Sequence, residues 1–78
     1  MSTEITFPAL SQENPGAKGV LATWYVNDGE VVTEGQLVAE VQLDKVDAEV
    51  LAGATGVIRL AVAEGAEVAQ GTAIATIE

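Results

Sequence analysis

With 78 residues and a formal net charge of −9, the chain has room for one small domain whose surface repels phosphate backbones and anionic membranes. Cysteine and histidine are absent, which excludes disulfides, thiolate or imidazole metal sites and nucleophilic triads that use His as base. Apolar residues make up 49%, but they include 13 Ala and 11 Val against one Phe, one Trp and one Tyr, so a core of small and β-branched side chains is expected.

The opening MSTEITFPAL carries neither the basic nor the apolar region of a signal peptide, and no apolar stretch is long enough to cross a bilayer. A soluble, cytoplasmic protein is expected. The next segment, ALSQENPGAKG, is polar and interrupted by Pro15 and Gly16, which predicts a loop with Ser11, Gln12, Glu13 and Asn14 in solvent. Val20, Ala22, Trp24 and Val26 then alternate with Leu21, Thr23 and Tyr25, a strand pattern that puts Trp24 and Val26 on the core side. Asn27, Asp28 and Glu30 look like a fragment of a calcium loop, but further oxygen ligands at the required spacing are missing, so a turn is predicted.

LVAEVQLDKVDAEV alternates on both sides of a polar break and predicts a hairpin. Leu37, Ala39 and Val41 share a face with Val46, Ala48 and Val50, while Glu40, Gln42, Asp47 and Glu49 take the other, which sets the tip at Asp44 and Lys45. Asp suits such a turn because its carboxylate can accept bonds from nearby amides. A last alternation, Ile58, Leu60 and Val62 against Val57, Arg59 and Ala61, marks another strand.

These segments form two copies of one pattern, offset by 36 residues. Trp24 falls on Leu60, Val26 on Val62, Gly29 on Gly65, Val32 on Val68, Gly35 on Gly71 and Val41 on Ile77, with Gly19 on Gly56 after a one-residue slip. Each half reads as strand, glycine turn, short hook, second glycine and strand. The six-residue glycine spacing fits two tight reversals and not a phosphate loop, which would open a helix beside a Lys or Arg. Two halves that cannot each bury an apolar face predict an all-β fold, a small flattened barrel or sandwich of two sheets about a pseudo-twofold axis.

Lys45, at the exposed tip among Asp44, Asp47 and Glu49, lacks the desolvation that a Schiff-base or general-base lysine requires. It is suited instead to acylation by another enzyme.

On FPAL, GVLATWYVNDGEVVTEGQLVAEVQLDKV and GTAIATIE, the chain resembles a lipoyl domain of the 2-oxo acid dehydrogenase complexes over residues 1–78, a single domain of the lipoyl or hammerhead type. Asp44, Lys45 and Val46 match the attachment motif read by the ligase. Gly29 and Gly56 stand at the family's glycine positions, sixteen residues before and eleven after that lysine.

The resemblance implies lipoic acid in amide linkage to Lys45 and a carrier, not an enzyme, which could be part of a dihydrolipoamide acyltransferase. The implied partners are a lipoyl ligase or transferase, a thiamine-dependent decarboxylase, an acyltransferase core and dihydrolipoamide dehydrogenase, with no nucleic acid, membrane or metal. Two departures stand out. Gln42 and Leu43 replace the usual Glu-Thr or Glu-Ser, and Asn14-Pro15-Gly16 makes the first loop, which helps choose partners in the family, unlike the common acidic version. Related biotinyl domains carry Met-Lys-Met at the tip, so a biotin carrier is the alternative, and an unmodified lipoyl-like adaptor a third.

Overall fold

The computed structural model of the chain describes residues 2–11, 13–14 and 16–78. Among these there is no helix, and eight strands form: β1 (Thr3–Thr6), β2 (Lys18–Trp24), β3 (Val31–Val32), β4 (Leu37–Leu43), β5 (Val46–Leu51), β6 (Gly56–Leu60), β7 (Glu67–Ala69) and β8 (Ala73–Ile77). They pair antiparallel in two four-stranded sheets, ordered β1-β8-β6-β3 and β5-β4-β2-β7. The result is a flattened sandwich of 34 × 21 × 18 Å whose core is aliphatic apart from Phe7. The all-β expectation holds. Charge contributes little to its cohesion, because the one ion pair among the described residues, Arg59 to Glu78 at 3.8 Å, is solvent-exposed.

The sheet order follows from the duplication. A shift of 36 residues takes β2 to β6, β3 to β7 and β4 to β8; with β5 answering β1, it converts one sheet into the other. Each half lends its hook to the opposite sheet, since β3 pairs with β6 and β7 with β2. Neither half completes a sheet alone. The reversals match as well: Gly29, Gly35, Gly65 and Gly71 all have φ of 86° to 87°, a region where a side chain costs roughly 1–2 kcal/mol. The Gly29 amide donates to the Ile58 carbonyl and the Gly65 amide to the Leu21 carbonyl, both at 2.7 Å.

Gly19 and Gly56 serve a different need. They lie opposite Val68 and Val32 in the ladders, and a Cβ on Gly19 would stand 2.7 Å from the Gln42 carbonyl oxygen and collide with the Phe7 ring. On Gly56 it would run into the Glu78 carbonyl, which is the Gln42 position of the other half.

Simple alternation fails at the bulges. Ala22 is an extra residue in β2, so Leu21 is fully buried and Val20 is exposed, while Val26 returns to the core and Trp24 packs at its edge, donating from Nε1 to the Val62 carbonyl at 3.1 Å. Val38 is likewise extra in β4 and is buried beside Ala39; Leu37, expected to share the face of Ala39 and Val41, pairs instead with the exposed Leu51. Ile74 is the same bulge in β8.

The calcium-like fragment is a turn, and its carboxylates bind backbone. Asp28 accepts from the Leu60 amide at 2.9 Å and Glu30 from the Asn27 amide at 3.1 Å. Glu64, the Asp28 position of the second half, accepts from the Trp24 amide at 3.0 Å. Asp28 and Glu64 thus each tie a glycine turn to a strand of the other half, while Glu30 closes its own turn. Asp28→Ala is expected to cost about 1 kcal/mol in denaturant unfolding, and Asp28→Asn much less, because an amide oxygen still accepts that bond.

Candidate functional site

The two longest strands, β4 and β5 apart from β2, build the hairpin that presents Lys45. Leu43 pairs with Val46, so Asp44 and Lys45 alone make the connection. The base of the hairpin is set in the core by Ala39, Val41, Leu43 and Val50, and burial falls toward the tip, where Val46 is 46% exposed. Asp44 has φ of 54°, in the left-handed region that Asp tolerates better than most residues and that two-residue hairpin turns require at their first central position. Its carboxylate, expected to accept amide bonds, takes part in no side-chain hydrogen bond among the described residues. The short side chain fits the turn for its backbone conformation instead.

Lys45 is exposed, and among the described residues it makes neither an ion pair nor a side-chain hydrogen bond. Its amine is therefore open to an attaching enzyme, while a rigid two-residue turn fixes its root. The arrangement holds the one group it needs, a primary amine on a protrusion, and fits an acyl chain joined there through an amide. No cluster of His, Cys, Asp or Glu able to hold a metal occurs among the described residues.

The register defines the surface beside the tip. Asp47, Gln42, Val20 and Glu67 form one row across the outer face of the sheet, and Glu49, Glu40 and Thr23 the next. Gln42 is thus exposed and available to a partner, whereas Leu43, the other departure from the family pattern, is 3% exposed and belongs to the core. Glu40 and Glu49 face each other directly, and the Tyr25 hydroxyl donates to Glu40 Oε2 at 3.3 Å. The negative charge of Glu40 raises the Tyr25 pKa above its ordinary 10.0, with burial, the hydrogen bond and Glu49 adding in the same direction.

Tyr25 is the sole tyrosine, so its ultraviolet titration is directly readable. A midpoint above pH 10 is expected, and Glu40→Gln should bring it down. The folded state holds this proton more tightly than the unfolded chain, so the associated stability is complete below pH 10 and is lost as pH rises above it.

The pairing of Val20 with Gln42 also brings the start of β2, with Lys18 and the segment before it, to the tip end of the sheet. The described part of the predicted loop is irregular, with Glu13 and Asn14 exposed and Ser11 half-buried; Gln12 and Pro15 lie outside the described residues. Ser11 is not simply solvated. Gln70 accepts from its amide at 3.0 Å and donates through Nε2 to the carbonyls of Ser11 at 2.7 Å and Asn14 at 3.0 Å. Nothing in the sequence marks Gln70 for this role. Asp28 and Glu64 did carry a signal, since an acidic residue precedes the first turn glycine in both halves.

A family profile described as "Biotin-requiring enzyme" matches residues 3–77. The chain is 38% identical, over 99% of its length, to the dihydrolipoyllysine-residue acetyltransferase component of the pyruvate dehydrogenase complex of Zymomonas mobilis, of which it covers 18%. It is 40% identical over 86% of its length to the pyruvate dehydrogenase E1 component subunit beta of Rhizobium meliloti, covering 14% of that protein. The chain therefore spans less than a fifth of each of these relatives. The solution structure of the lipoyl domain of the 2-oxoglutarate dehydrogenase complex from Azotobacter vinelandii superposes with a TM-score of 0.74 at 35% identity, covering 95% of both chains.

Proposed function

The chain belongs to the biotin- and lipoyl-attachment family and is a lipoyl domain, and on that premise we propose that Lys45 carries lipoic acid in amide linkage and presents it in turn to the enzymes of a 2-oxo acid dehydrogenase complex. The observation that supports the site most directly is the exposed, unpaired lysine on a two-residue turn flanked by Asp44 and Val46. The bound group would supply a disulfide that takes up electrons and an acyl group. What the protein supplies is position: a stiff hairpin holds the attachment point away from the sandwich, and Asp44, Lys45 and Val46 form the tip that a lipoyl ligase or transferase reads. The partners in this reading are that ligase, a thiamine-dependent decarboxylase, an acyltransferase core and dihydrolipoamide dehydrogenase. A tether raises the local concentration of the carried group to the ~mM range without its release. The absence of cysteine suits the role, since a protein thiol would exchange with the carried disulfide. The reading includes a cytoplasmic setting, where a dithiol can persist between oxidations.

Intact mass after co-expression with a lipoyl ligase and lipoate tests the assignment. One lipoyl adduct on Lys45, none on Lys18 and none in Lys45→Arg is the expected result, with the amide spectrum of the variant unchanged. A biotin adduct under matched conditions with a biotin ligase, or an adduct on Lys18, would refute it. A chain left unmodified by a ligase active on a control domain would point to the adaptor.

A further inference from the structure

Each sheet of the sandwich ends in strands whose outer edges are unpaired among the described residues, and these edges are unequal. β3 has two residues, β7 three and β1 four, whereas β5 runs for six, from Val46 to Leu51. A strand edge of that length offers a row of free donors and acceptors to another chain.

The hairpin register identifies those groups. A two-residue connection makes Leu43 and Val46 a hydrogen-bonded pair, and antiparallel pairing then alternates, so Val46 and Ala48 turn their amides toward β4. Asp47 and Glu49, in the intervening pairs, direct their backbone amides and carbonyls away from β4, to the open edge. Two of the residues with free backbone groups thus carry carboxylates, and the next in the alternation is the apolar Leu51. These side chains repeat every second residue, about 6–7 Å apart.

Beside this edge the seam between the two sheets stays open. A groove of about 290 Å³ lies between β1 and β5, lined by Ile5, Pro8, Val50 and Leu51 together with Glu4 and Glu49. Leu51, which follows Asp47 and Glu49 in the alternation along this edge, is 53% exposed here.

We propose that the β5 edge and this groove form a docking site for an extended segment of a partner protein, taken up as an added strand in which Lys or Arg alternates with apolar residues. Charge complementarity selects that occupant. A second copy of this chain, paired through its own β5, would bring Asp47 and Glu49 against like carboxylates, and an acidic segment would meet Glu4 as well. A basic residue at every second position places cations opposite Asp47 and Glu49 on the outer face, with its backbone joined to their free amides and carbonyls. The residues between them face the other side of the strand, where the groove receives an apolar side chain. The site does not require Lys45 to be modified, so it stands or falls separately from the carrier reading.

The test uses the isotope-labelled 78-residue chain, unmodified, titrated with a short capped peptide in which Lys alternates with Val. Three comparisons accompany it: the same peptide with Glu for Lys, the Lys–Val peptide N-methylated on alternate residues so that one edge cannot pair, and the Lys–Val peptide at high salt. Shifts confined to β5, β1 and the groove, with slowed amide exchange at Asp47 and Glu49, are expected for the first peptide. The N-methylated and Glu peptides should bind at least about tenfold more weakly, and added salt should weaken the complex. Asp47→Lys with Glu49→Lys should reverse the preference to the Glu peptide. Leu51→Ser, at an exposed position that leaves the core intact, should weaken binding of the Lys peptide. Equal binding of the N-methylated peptide, shifts spread over the whole acidic surface, or no binding at all would overturn the proposal.

Discussion

Val32→Asp and Val68→Asp are each expected to abolish cooperative folding, while Thr33→Asp, one residue from the first, should change stability by less than about 0.5 kcal/mol. Val32 is fully buried in β3 and Val68 is 5% exposed in β7; each lies opposite a glycine, Gly56 or Gly19, in a sheet made largely by the other half. A carboxylate there would be unpaired, since no buried polar or charged residue is present among the described residues to receive it. Burying even a neutral polar group without a partner costs roughly 2–7 kcal/mol, and a charge costs more. The stability of a domain this small is about 5 kcal/mol, so either substitution removes most of it. Thr33 is exposed and bonds only through its backbone, its amide donating to Gln36 Oε1 at 3.0 Å and its carbonyl accepting from the Gln36 amide at 2.9 Å. Urea melts and amide dispersion of the three variants provide the measurement. The hooks knit the halves together, so similar damage from both valine variants is the distinctive outcome. A Val68→Asp protein that folded normally beside an unfolded Val32→Asp would contradict the interlocked arrangement.

The repeat makes this architecture readable from the sequence. Four glycines at matching positions in two halves specify four matching reversals, and the structure has them at nearly identical φ. The hairpin tip was readable for a related reason: alternation on both sides of Asp44 and Lys45 permits only a short connection. What alternation could not reveal was where it breaks. Ala22, Val38 and Ile74 sit in bulges, and a bulge leaves no local mark when small and β-branched residues occupy both faces of a strand, as in GVLATW or LVAEV. That is why Val20 faces outward, Leu37 is only half-buried, and Leu21 and Val38 face inward, against the simplest pattern. The Gln70 clamp was hidden for another reason, because it joins residues 59 positions apart through an ordinary polar side chain. Gly19 and Gly56 were visible as a matched pair, but their cause, a carbonyl and a side chain pressed against the missing Cβ, exists only once the sheets are packed.

Exchanging the two residues of the turn, Asp44→Lys with Lys45→Asp, is expected to reduce ligase-catalysed lipoylation by more than about a hundredfold although composition and net charge are unchanged. The turn has only these two positions, and they differ in backbone conformation: Asp44 is at φ of 54°, and Lys45 is not in the left-handed region. A lysine moved to position 44 leaves from a neighbouring Cα about 3.8 Å away with its side chain aimed differently. Acyl transfer to an amine needs the nitrogen aligned with the activated carbonyl, and a misplacement of about 1 Å can cost on the order of a hundredfold in rate. The exchange also places Lys in the left-handed region at a cost of about 1–2 kcal/mol, which the hairpin can bear because Leu43, Val41 and Val50 anchor it in the core. Asp44→Gly with Lys45 retained separates the two effects. It keeps the lysine in place and relieves the turn, so it should be modified at a rate within a few-fold of the unaltered chain if position governs, and far more slowly if the ligase needs the Asp44 carboxylate. Initial rates of lipoate incorporation, read by intact mass against Lys45→Arg as the zero, distinguish these outcomes. Comparable modification of the exchanged protein would mean that the ligase accepts any exposed lysine near the tip, and the hairpin would lose its role as the positioning element.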